Sequence, residues 1–205
     1  MENVIGVVGV GAVDVLLFSS KVLLEMGKSV TIIDLSGDFS LQCIETSDER
    51  LRIKRAVSSL NSCKSDVVFV YSDYSWNDLF LDCNKVSLFV DFLYINTTRF
   101  SRFKDNLRVK YSVFVKVYST ANREVFYNQY KGLLYKGCDV VYIDCKENDL
   151  NLLIKIKQGE WVDTGWWSHR FIAGSVRFMS DMLENIPRSD IEQTISVSIF
   201  GKILK

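Results

Sequence analysis

Between Val4 and Leu35 the chain lays out an apolar strand, a glycine turn, a helix and a second apolar strand, an order that leaves few folds open. Val4-Ile5-Gly6-Val7-Val8 has the near-continuous apolar character of an interior strand, and Gly9-Val10-Gly11 is a tight turn. Val13 to Met26 reads as a helix and Lys28 to Asp34 as the next strand. This is the opening unit of an α/β fold.

The same β-branched and aromatic bias returns at Asp66 to Tyr71, Val86 to Tyr94, Val113 to Tyr118 and Asp139 to Ile143. Ser47 to Leu60 alternates charged and apolar residues as an exposed helix does, and the polar stretch Thr97 to Asn106 also reads as helical. Strands alternating with helices predict a three-layer α/β/α sandwich around a mainly parallel sheet. With 205 residues, 48% of them hydrophobic, the chain buries one core, which places a single domain at residues 1–187. Pro187, the only proline, sets off a tail at 188–205. There Ile191, Ile195, Ile199 and Ile203 recur at i+4 steps, as on a helix, while Ile195, Val197 and Ile199 alternate with serines, as on an edge strand. An edge strand or docking segment is the favoured reading. Two lysines beside one short stripe make only a weak peripheral membrane anchor.

Twenty-five basic residues balance 25 acidic ones, so no global field draws the chain to nucleic acid or to an anionic bilayer. Glu2 and Asn3 lead straight into a strand, and no apolar run approaches membrane-spanning length, so the expectation is a cytoplasmic protein. Five scattered cysteines without C-x-x-C spacing read as free thiols, with no metal site.

The turn after the first strand carries the functional question. Gly9-Val10-Gly11-Ala12-Val13-Asp14 fits a G-x-G-x-x-G frame with aspartate at the third glycine, and Asp34 lies about 20 residues on, where a dinucleotide ribose is held. Asp14, however, puts a carboxylate at a helix N-terminus that would otherwise attract phosphate, which argues against NAD as a cofactor. The alternative function on this frame is an NAD(P)-binding oxidoreductase of Rossmann type.

A second frame extends further. Gly9-Val10-Gly11-Ala12-Val13 takes the positions of a G-V-G-K-T loop, Gly27-Lys28-Ser29-Val30 follows at the matching helix length, and Ile32-Ile33-Asp34-Leu35 matches a second strand without a gap. Asp66 to Tyr71, Asn84 to Tyr94, Thr97-Thr98-Arg99, and Val140 to Asp144 with Gln158 to Val162 continue the likeness. On these residues the chain resembles the MinD/ParA deviant Walker ATPases, including the TadZ-like proteins, and the resemblance implies a P-loop NTPase-like fold. It departs from that pattern where the chemistry lies. The Walker lysine position holds Ala12, the magnesium-binding hydroxyl position holds Val13, and the third strand reaches Tyr71 where a magnesium-linked aspartate is expected, with Asp73 two residues late. Each missing charge-assisted contact is worth roughly 1.5–3 kcal/mol. The expectation is therefore a pseudo-ATPase without catalytic residues or a dedicated cofactor. Residual ATP or ADP binding would fall on Gly9, Gly11, Ala12, Val13 and Asp34, and an active nucleotide switch is the further alternative.

The resemblance further implies work through protein partners in a larger assembly, such as pilus or secretion assembly, localisation or plasmid partition, and a homodimer. The interface candidates are Trp166, Trp167, Arg170, Ile195, Ile199 and Phe200, because tryptophan and arginine dominate interface hot spots. His169, the only histidine, lacks the flanking motif of a general base and reads as a structural or surface residue.

Overall fold

Seven strands pair into one all-parallel sheet in the computed structural model of the chain, which describes residues 3–36, 48–55, 57, 60–91, 103, 106, 111–118, 140–158, 160 and 162–203. The strands are β1 (Val4–Val8), β2 (Val30–Asp34), β3 (Leu51–Lys54), β4 (Val67–Ser72), β5 (Lys85–Asp91), β6 (Tyr111–Tyr118) and β7 (Val140–Cys145). Their order across the sheet is β3-β2-β4-β1-β5-β6-β7. The α-helices whose bounds lie within the described residues are α1 (Val13–Glu25), α2 (Glu147–Lys157), α3 (His169–Met182) and α4 (Arg188–Ile203).

Alternation along the strands splits the interior into two cores. Ile5, Val7, Ile32, Phe69, Tyr71, Phe89 and Phe114 face the layer that contains all four helices. Val4, Val8, Ile33, Val68, Val70, Leu88, Val113 and Val115 face the opposite side, where they meet Leu60, Phe80 and the helical residue Phe103. Both faces of the central strands are therefore dry, which is why those strands read as unbroken apolar runs. The arrangement is α/β and consistent with a three-layer sandwich. No described helix is long and apolar enough to cross a membrane.

Local chemistry accounts for the helix ends. Gly27, at φ 78°, closes α1 through hydrogen bonds from its own N–H to Leu24 O (3.0 Å) and from Lys28 N–H to Leu23 O (2.9 Å), a backbone turn that suits glycine. The Ser168 hydroxyl caps α3 by accepting from Phe171 N–H at 3.2 Å. That hydroxyl also donates to Asp149 of α2 at 2.6 Å, while Ser168 N–H reaches the second Asp149 oxygen at 2.8 Å. One buried carboxylate thus fixes α2 against the start of α3.

Two sequence expectations are corrected. Residues 51–54, expected within an exposed helix, form β3, because Leu51 and Ile53 turn toward the helix-side core while Arg52 faces solvent. The tail, expected as an edge strand, is the helix α4. Its i+4 isoleucines win over the serine alternation: Ile191 and Ile195 are buried with Ile199 packed beside them, against α1 and α3. Residues 188–203 are thus part of the core-bearing layer. Of the helix expected at Thr97 to Asn106, Phe103 and Asn106 are helical and the rest lies outside the described residues, as do Cys43 and Cys138. Cys63, Cys83 and Cys145 are buried free thiols, and burial pushes the Cys83 thiol up to about 12.

Because Ile195 sits inside the α1–α3–α4 packing, Ile195→Ala should lower the unfolding free energy by about 2–4 kcal/mol in urea denaturation. A dispensable tail would show no change at this position.

Candidate functional site

In open α/β sheets ligands settle at the carboxyl ends of the strands, where the chain's direction of travel across the sheet reverses. Here α1 carries the chain from β1 to β2 on one side, whereas β5, β6 and β7 build outward on the other. The switch point is the crevice between β1 and β5, and the glycine turn stands at its mouth.

The turn is tight. Gly9, at φ 113°, donates its N–H to Ser72 O at 2.7 Å, and Ala12 N–H returns to Gly9 O at 2.9 Å, closing a 3-10 turn over Val10–Ala12. α1 begins immediately after it. Gly9, Gly11, Ala12 and Val13 are all buried. A Cβ on Gly9 would collide with Phe89 O and stand 2.9 Å from the Tyr74 hydroxyl. Only glycine fits both the backbone angle and the space.

Asp14 lies in the first turn of α1 with about 1% of its surface exposed. One of its oxygens accepts from Val15 N–H at 2.8 Å, and the other accepts from Lys116 Nζ at 2.5 Å. Lys116 projects from β6, also about 1% exposed, so this is a fully desolvated ion pair. The carboxylate sits where helix N–H groups and the helix dipole favour an anion, and the ammonium neutralises it. The chain itself thus supplies both charges at the position where a bound phosphate would bring one of them.

Next to the pair, the loop after β4 folds over the crevice. Ser72 Oγ donates to Ser75 O at 2.6 Å, and Ser75 Oγ donates to Asp73 at 2.8 Å. Tyr74, at φ 80°, sends its hydroxyl to Phe89 O on β5. Asp34, at the end of β2, accepts from Ser36 N–H at 3.0 Å and from Ser36 Oγ at 2.5 Å. Tyr71 stands between Asp34 and Val7 in the strand register, fully buried, and its hydroxyl has no hydrogen-bond partner among the described residues. Burial, followed by the nearby Asp34, Asp73, Tyr74 and Asp14, raises this hydroxyl well above the ordinary phenol range. No group of three or more metal-ligating side chains occurs among the described residues.

The expected surface residues divide. Trp166 is about half exposed, with Lys155 Nζ over its ring at 5.2 Å and its carbonyl accepting from Asn148 at 3.1 Å. Arg170 and His169 are exposed at the start of α3. Trp167 is internal, stacked on Phe171 at 4.1 Å and edge-on to Phe18 at 6.5 Å. Ile195 is internal as well and Ile199 half-buried, while the Phe200 side chain lies outside the described residues. The sequence reading missed Lys116, Tyr71 and Tyr74. A lysine inside the apolar run Val113 to Tyr118 was the legible signal, since a charge on an interior strand requires a buried partner.

No protein-family model and no curated protein matches the chain.

Lys116→Met should cost about 3–5 kcal/mol by stranding the Asp14 carboxylate, and adding Asp14→Asn should recover much of that loss. Urea denaturation of the two single variants and the double variant measures the coupling, and additive losses would show that the charges do not act as a pair. Tyr71→Phe removes a buried hydroxyl without a partner and should stabilise by about 1 kcal/mol. Because the folded chain holds the Tyr71 proton more tightly than the unfolded chain, stability falls as pH rises above the unfolded phenol value near 10, and the variant should flatten that fall in a pH series of melts.

Proposed function

We propose that this chain is a non-catalytic protein with a MinD/ParA-like, P-loop-type architecture that acts through protein contacts, as a scaffold or positioning factor within a larger assembly. The observation that carries the reading is the Asp14–Lys116 pair sealed beneath the first turn of α1. An active ATPase needs cations and a metal-bound hydroxyl directed at the transferring phosphoryl group. Here Ala12 and Val13 occupy the corresponding positions, both buried, and the Lys116 ammonium at the start of α1 is bound to Asp14, a carboxylate of the chain itself.

The strand order weighs against the nicotinamide alternative. In a dinucleotide fold the strand ending in the ribose-binding acid neighbours the strand before the glycine turn. Here β4 lies between β1 and β2, so Asp34 ends a strand about 10 Å from β1, two spacings away. An acid displaced by a whole strand no longer lines up with a pyrophosphate at the start of α1. The same insertion suits a P-loop-type site, in which a second strand end must stand directly beside the loop. Exposed Trp166, with Lys155 over its ring, is the surface we assign to partner contact.

Calorimetric titration with ATP, ADP and NAD, with and without magnesium, should give no binding heat at millimolar nucleotide. Magnesium-dependent ATP turnover would remove the pseudoenzyme reading, and micromolar NAD binding would restore the dehydrogenase-like one. Pull-downs comparing wild type with Trp166→Ala should show partner loss in the variant.

A further inference from the structure

We draw no further inference here: the strongest candidate, the open groove between the end of α1 and the outer face of α4 lined by Glu25, Gln193, Thr194, Val197 and Ser198, carries nothing because nothing in the structure shows what covers it.

Discussion

The arrangement at the carboxyl edge of the sheet depends on one desolvated ion pair. Lys116 stands on β6, two strands from β1, and its ammonium meets the Asp14 carboxylate in the first turn of α1. The pair joins the start of α1 to the far half of the sheet, and Val15 N–H holds the carboxylate in place. Two charges removed from water are costly, and their attraction offsets that cost only with good geometry and further hydrogen bonds. At this site the helix N-terminus supplies the further stabilisation, since its dipole favours an anion.

The same physics explains why the glycine turn is so tight. A helix N-terminus next to a glycine-rich turn calls for negative charge, which in phosphate-binding folds arrives with the ligand. Here the carboxylate is covalently part of the helix, so the need is met at every moment and the turn has no reason to stay open. The turn closes as a 3-10 segment with Ala12 and Val13 inside the core. Tyr74 completes the closure from the other side, with its ring over Gly9 and its hydroxyl on Phe89 O. Anion, cation and ring are all supplied from within the chain.

How much of this was readable beforehand follows from the range of each interaction. β1, α1 and β2 were legible because their signals are local: apolar runs, a glycine turn and a glycine helix end. The interior strands β4, β5 and β6 were legible because burial on both faces removes most polar residues from them, and the edge strand β7 because Val140 to Ile143 is an apolar run. β3 was misread because an edge strand with one dry face mixes charged and apolar residues as a surface helix does. The last helix was misread because serine at alternate positions mimics a half-buried strand, and only packing against α1 and α3 decides between the two periods. Strand order was not legible at all, although it determines which acids stand near the turn. Asp14 was recognised as an obstacle to phosphate, but its partner lies 102 residues away, and no local pattern connects the two.

Closing the sheet edge shifts attention to the surface. A fold whose usual ligand crevice is filled by its own side chains retains a packed α/β body, and on the function proposed above that body is what holds a contact surface in place. Exposed groups held by such a body lose little further freedom on contact with a partner, which lowers the entropic cost of association. Trp166 fits that description: its backbone is fixed by Asn148, its ring is covered on one side by Lys155, and its neighbour Trp167 is locked into the core against Phe171. Two adjacent tryptophans thus divide the work, one anchoring the segment and the other presenting a preorganised aromatic face. That division follows from the packing, and it is why we propose the turn before α3 as the partner-contact surface.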